Sequence, residues 1–409
     1  VALMSKKLKD KQDYSYGVLL KVIGASFLIG ILIGCVDTVF GRVLLMLSAF
    51  RTENFNYVIP FLGLIGLVIV FLYQKADSRA SKGMGLLFAV SQGDEKKIPL
   101  IMLPLVTVAT WLTHLFGGSA GREGVAVQLG ATISHAFSKF FSFENSSRLF
   151  LVTGMAAGFA GLFQTPLAAV FFGLEILVLG KLQLPALLPM TIASFVASAT
   201  SHALGLEKFA HFVNVSLTFN AWLFCKLALL GLIFGLVGNA FAALLAYAKQ
   251  KAKEVMDNPY YRILFGGIVL SLLFLMLYHG RYSGLGTNLI DASFSGKNIY
   301  FYDWLLKLVL TVATLAIGFQ GGEVTPLFAI GASLGVVLAN VFGLPVEFVA
   351  AAGYISVFGS ATNTLLAPIF IGGEVFGFAN LPYFALVMIF AYSLNRNHSI
   401  YTGQEVLDF

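Results

Sequence analysis

The chain has 409 residues, 58% of them hydrophobic and 11% charged, with a mean hydropathy of +0.86 and a formal net charge of +6. Soluble domains carry about one-quarter charged residues, so this composition excludes an ordinary soluble enzyme or binding module and points to an all-α polytopic membrane protein. Continuous rather than alternating apolar segments disfavour a β-barrel, and the small positive excess does not indicate nucleic acid.

The basic run Lys6-Lys7-Leu8-Lys9-Asp10-Lys11 precedes the first span. By the positive-inside rule it predicts a cytoplasmic N-terminus. Residues 1–16 are read as a cytoplasmic segment and 17–409 as a single transmembrane domain with no C-terminal regulatory domain. There is no cleavable signal pattern, so the first span is expected to serve as the targeting signal. Apolar runs of spanning or near-spanning length follow at Val18–Gly34, Tyr57–Tyr73, Ile98–Phe116, Trp222–Tyr247, Ile263–Tyr278 and Leu305–Phe319. Cys35 and Cys225 fall in apolar segments and are expected to be buried packing thiols, with no disulfide framework.

Gly117-Gly118-Ser119-Ala120-Gly121-Arg122-Glu123-Gly124 interrupts the apolar sequence. A carboxylate at membrane depth costs about 2.5–3.5 kcal/mol on insertion scales and is rarely kept without a use. Glycines bare the backbone there, Arg122 adds charge, and a helix pattern follows. Amides at that helix start would face an anion with the positive end of the helix dipole. Glu123 would then compete for its own anion site.

The chain also repeats. Gly154–Glu175 aligns without gaps on Gly353–Glu374, and Gly, Phe, Thr, Leu, Ala, Phe, Gly and Glu recur in register. Upstream, Gly117-Gly118 with Glu123 and Gly321-Gly322-Glu323 form a looser pair, their distances to Gly130-Ala131 and Gly331-Ala332 differing by three residues. The halves divide near Gly205, at about 17–205 and 206–409. Hydropathy does not say whether they are parallel or inverted; in transporters, short Gly-interrupted segments at matching positions of inverted halves mark the site. The matching acids Glu175 and Glu374 are expected to share a packing or interface role.

Gly121-Arg122-Glu123-Gly124, the Gly-Gly-x-x-x-Pro of Gly321–Pro326 and the Gly-x-x-x-Gly…Pro-Leu-Ala of Gly154–Ala168, in this order and in these halves, resemble the CLC chloride channel and transporter family. The resemblance covers about Gly17 to Tyr401. It implies an inverted repeat of tilted and partly broken helices, a homodimer with one pore per subunit, and an anion site built from helix N-termini. Glu123 resembles the gating glutamate of that family, and Tyr401 its central-site tyrosine. Two departures resemble the bacterial fluoride/proton antiporter branch: Met84 replaces a serine anion ligand in Lys82-Gly83-Met84-Gly85-Leu86, and Gly322-Glu323-Val324-Thr325-Pro326 gains an acid and a hydroxyl. A third concerns protons, since Ile176 stands where proton-coupled chloride members often carry a second acid after Glu175. Glu323 then supplies a proton station, or protons travel with Glu123 itself.

The resemblance implies fluoride export from a bacterial cytoplasm across the inner membrane in exchange for protons. Gly121, Arg122, Gly124, Thr325, Tyr401 and Met84 would serve anion binding and selectivity, and Glu123 and Glu323 gating and proton transfer. A small, strongly hydrated anion leaves water only for several good donors, and amides and hydroxyls are such donors. Substrates are a fluoride ion and a proton; the surrounding partner is the lipid bilayer; no cofactor, metal or enzymatic activity is implied. A chloride/proton antiporter or a passive anion channel of the same fold is the alternative. Gly117–Gly121 also matches Gly-x-Ser-x-Gly formally. Ser119, however, does not open a serine-hydrolase helix, and none of the six His lies in a base motif.

Overall fold

The computed structural model describes residues 16–394 and 398–406, so the basic run Lys6–Lys11 lies outside the described residues. Sixteen α-helices of eight residues or more make up the described chain. In the first half these are α1 (Tyr16–Glu53), α2 (Leu62–Ala76), α3 (Met84–Gln92), α4 (Met102–Leu115), α5 (Glu123–Phe137), α6 (Ser146–Phe163), α7 (Pro166–Glu175) and α8 (Leu187–Ala203). The second half repeats the series as α9 (Ala221–Val255), α10 (Pro259–Met276), α11 (Thr287–Phe294), α12 (Asp303–Ile317), α13 (Val324–Phe342), α14 (Val346–Thr362), α15 (Leu366–Phe376) and α16 (Leu381–Leu394). Between them, α8 ends at Ala203 and α9 begins at Ala221.

Among the described residues, seven candidate spans are long and apolar enough to cross a membrane, and five further apolar helices are shorter. The 38 residues of α1 run about 57 Å, well beyond a hydrocarbon core of about 30 Å, whereas the 10 residues of α7 reach only about 15 Å. Tilted and partial crossings follow from these lengths. Within the span Phe55–Ala76, which holds the apolar run Tyr57–Tyr73, the helix tightens to a 3-10 turn at Ile59–Phe61 around Pro60 before α2 begins at Leu62. Proline fixes its own φ and has no N–H to continue the ladder.

The central helices are those with least surface. In α6 every residue from Leu149 to Phe163 is buried, and in α14 every residue from Phe348 to Thr362. Without a hydrophobic drive between helices in lipid, small residues supply close packing. A Cβ on Gly130 would stand 2.2 Å from the carbonyl of Gly154, and one on Gly331 2.1 Å from that of Gly353. The same α5–α6 contact thus recurs as α13–α14. Both central helices end on a left-handed residue, Gln164 (φ 55) and Asn363 (φ 54), and each side-chain amide donates to a carbonyl beyond the last helix of its half, Leu206 and His398.

Gly121 and Gly322 relate the two halves directly. The Gly121 N–H donates to Gly322 O at 2.5 Å and the Gly322 N–H to Gly121 O at 2.8 Å, as an antiparallel pair. Each opens the path into its helix, α5 or α13, with the same spacing to Gly130 and Gly331. Equivalent residues exchanging the same two bonds place a two-fold axis between them, and antiparallel exchange sends the following helices apart. This local two-fold relation is what an inverted repeat would produce. The match also corrects the sequence alignment: Gly322 corresponds to Gly121 and not to Gly118, which removes the three-residue discrepancy. Glu323 then corresponds to Arg122, and Val324 to Glu123.

The two cysteines differ from expectation. Both are free, and both are exposed on helix surfaces. In a membrane protein the outward face is itself apolar, so an apolar neighbourhood does not imply burial.

Candidate anion and proton site

The loop before Glu123 is fixed from several sides. Gly117 has φ +91, and a Cβ there would strike Ile59, so a larger residue is excluded by backbone and by space. The Gly118 N–H donates to Thr113 O at 2.8 Å. His114 lies between Thr110 O (2.8 Å) and Ala120 O (3.0 Å). The Ser119 hydroxyl is shared with Thr311 (2.8 Å), and the buried Lys307 ammonium donates to it at 2.9 Å and to Gly284 O at 2.7 Å. Ser119 is thus a buried structural hydroxyl, and His114 next to it holds the backbone.

Glu123 is fully buried at the first position of α5. Its Oε2 accepts from the Arg122 N–H at 3.3 Å, from the Thr325 N–H at 3.2 Å and from the Thr325 hydroxyl. Two of these donors belong to the first turn of α13, in the opposite half. Its Oε1 has no hydrogen-bond partner and lies 3.6 Å from Arg122 Nε. Arg122 Nε and Nη1 are buried and make no hydrogen bond, so this guanidinium serves the carboxylate as a charge. The arrangement is an anion bound at a helix N-terminus, with the protein's own side chain as the anion.

Gly121 departs from its expected role. Its amide is committed to Gly322 and is not available to an ion. It makes the close approach of the two loops possible instead: a Cβ there would lie 2.9 Å from Pro326 Cδ and 3.0 Å from Gly322 O. Gly124 is buried in the first turn of α5, where amides lack intrahelical partners.

Glu323 immediately precedes α13 and makes no capping hydrogen bond with its side chain. Its Oε2 lies 3.7 Å from the point a Cβ on Gly124 would occupy. Both predicted acids and Thr325 therefore surround the junction of the two loops.

Tyr401 is placed by the segment that ends the described chain. Ile400 N–H donates to Ala361 O (2.9 Å), Gln404 Nε2 to Ile176 O (3.1 Å) and Gln92 Nε2 to Gly403 O (2.7 Å). Beyond them Glu405–Val406 pairs in parallel with Val178–Leu179. The Tyr401 ring packs near Phe88 and Phe172, and its buried hydroxyl has no protein partner. Met84, half-buried, opens α3 after Gly83 (φ +54). A Cβ on the next residue, Gly85, would lie 3.7 Å from Thr402 Oγ1, so the Met84 and Tyr401 segments adjoin.

Glu175 and Glu374 resolve into reciprocal caps. The Glu175 carboxylate accepts from the amides of Leu365 (3.0 Å), Leu366 (2.7 Å) and Ala367 (3.4 Å) at the start of α15. Glu374 accepts from Leu167 (3.2 Å) and Ala168 (2.8 Å) at the start of α7. Sequence reasoning missed Lys307 and Lys249; each is an ordinary lysine in a helix, and only the fold shows what it touches.

The voltage-gated chloride channel family model matches residues 65–396. The chain belongs to the CLC family. Among CLC proteins it is similar to the chloride/fluoride channel protein of Pseudomonas syringae pv. tomato, at 33% identity over 98% of this chain and 90% of that one. It is also similar to the crystal structure of a CLC-type fluoride/proton antiporter, with a TM-score of 0.95 and 56% identity, covering 97% of this chain and 100% of that one. A slow cyanobacterial Cl⁻/H⁺ antiporter superposes with a TM-score of 0.79 at 19% identity, over 91% of this chain and 94% of that one, a likeness of fold alone. The CLC family consists of transporters and channels, and this CLC chain is a multi-pass membrane protein.

Proposed function

We propose that this CLC protein is a fluoride/proton antiporter that exports fluoride from a bacterial cytoplasm across the inner membrane while protons enter, with its N-terminus on the cytoplasmic side. Residues 17–409 act as one transport domain, assembled as a homodimer with a pore in each subunit. The observation that carries the reading is the Glu123 carboxylate on the Thr325 amide and hydroxyl. Those donors serve either the carboxylate or an anion. Protonation removes the carboxylate's charge and its claim on them, so the site passes to fluoride; loss of the proton returns the carboxylate and expels the ion. Each ligand changes the affinity of the other, which is the linkage that exchange needs.

Thr325 and the Gly124 amide are assigned to the outer anion position and the Tyr401 hydroxyl to the inner one. Arg122 offsets the charge of Glu123. Glu323, facing Gly124, is assigned as a second proton station, a role that Ile176 leaves unfilled. Similarity to an antiporter structure at 56% identity supports fluoride as the substrate. The relative named a chloride/fluoride channel keeps a passive anion conductance as the second reading.

Proteoliposomes loaded with fluoride test the assignment through a fluoride electrode and an internal pH dye. Antiport requires fluoride efflux with matching proton uptake, both falling to background in Glu123→Gln. Equal chloride transport would move the protein to the chloride branch, and fluoride flux without proton movement would make it a channel.

A further inference from the structure

Glu323 spans from the anion site to the aqueous edge. One carboxylate oxygen faces Gly124 in the first turn of α5, and the other lies 3.9 Å from Lys249 Nζ. Lys249 belongs to the last two turns of α9, which also carry Lys251 and Lys253. Its side chain is 43% exposed and that of Glu323 14%, so the pair joins a buried acid to water. We propose that Lys249 is a positioning residue for proton exchange: its ammonium draws the Glu323 carboxylate to the aqueous edge and sets the pH at which Glu323 takes a proton from that face of the membrane. The proposal rests on the reading of Glu323 as a proton station.

In the step itself, a hydronium or buffer acid at that face gives up a proton and an O–H bond forms on Glu323. Lys249 keeps its three N–H bonds throughout. The neutral acid no longer attracts the ammonium and is free to turn towards α5, where it becomes a hydrogen-bond donor to an anion. Other charged or titratable groups face this acid. Glu123 and Arg122 lie across the Gly121–Gly322 pair. From α10, Arg262 is turned to Ile317 O and Met256 O. Lys251 is paired with Glu254 at 3.1 Å. Lys249 is the cation in ion-pair contact with Glu323 among the described residues. A long, partly exposed pair adds little to the stability of a fold, so replacing the lysine probes function and leaves folding intact.

The experiment compares the pH dependence of fluoride efflux and proton uptake in proteoliposomes of full-length wild type, Lys249→Met, Lys249→Gln, Lys249→Arg and Glu323→Gln. A nearby cation favours the carboxylate, so removing it lets Glu323 protonate at higher pH. The midpoint should rise by about half a pH unit or more in Lys249→Met and Lys249→Gln, and Lys249→Arg should restore it. Superimposable curves for wild type and both neutral variants, with proton uptake lost in Glu323→Gln, overturn the role of Lys249 and leave the station standing. Coupling retained in Glu323→Gln overturns the station itself.

Discussion

At the scale of single residues, the site is defined by which donors are already spent. Gly121 and Gly322 use their amides on each other, whereas Thr325 offers an amide and a hydroxyl that Glu123 takes. Met84 adjoins the Tyr401 segment, and on the proposed reading a hydroxyl in its place would be one more donor. For a strongly hydrated ion, one fewer donor means weaker retention, and conduction needs release as well as binding. Met84→Ser should therefore raise chloride transport relative to fluoride. A single net hydrogen bond makes this a change of about 2–10-fold, read as the ratio of initial electrode slopes, and an unchanged ratio would count against Met84 as a selectivity element. Glu123 and Met84 could be singled out as candidates from the sequence because each is an unusual side chain inside a short motif, whereas Tyr401 rested on the family resemblance alone. Lys249 was not legible there, since a basic residue near a helix end is expected from membrane topology alone. Nor was the spent amide of Gly121, because a pairing between residues 201 positions apart has no local signature.

At the scale of elements, the short helices α7 and α15 illustrate what a repeat can show and what it hides. Their alignment and the matching positions of Glu175 and Glu374 were plain in the sequence. The exchange of caps between them was not, because identical residues in register suggest like roles in separate places. No α-helix satisfies the N–H groups of its own first turn, and each of these two borrows a carboxylate from the end of the other. Removing one acid leaves two or three amides at membrane depth without an acceptor. Glu175→Ala and Glu374→Ala should each lower stability by about 1.5–3 kcal/mol, seen as an earlier thermal transition in detergent, with glutamine recovering part of it. Fluoride selectivity should be unchanged in the molecules that remain folded. A variant with an unaltered transition would show that its cap is dispensable. The run Tyr57–Tyr73, read from the sequence as one apolar stretch, lies within one candidate span, Phe55–Ala76, whose helix only tightens at Pro60.

At the scale of the whole molecule, the inverted halves bring one site under the influence of both faces, and exchange across it moves charge. Fluoride leaving and a proton entering both carry positive charge inward. For one fluoride exchanged against one proton, an inside-negative potential of 100 mV supplies about 4.6 kcal/mol, twice the single-charge value of about 2.3. That corresponds to a fluoride gradient of about 2,000-fold at equal pH, against about 50-fold for a passive conductance of the same ion. Proteoliposomes clamped with a potassium gradient and valinomycin separate the two. Efflux into rising external fluoride should continue past the single-charge limit, and acidifying the outside by one pH unit should extend it about tenfold further. The Glu123→Gln variant should show no efflux above background at either pH, because the side chain that links anion to proton can no longer ionise. A limit fixed at the single-charge value and indifferent to pH would mean that the two halves enclose a channel.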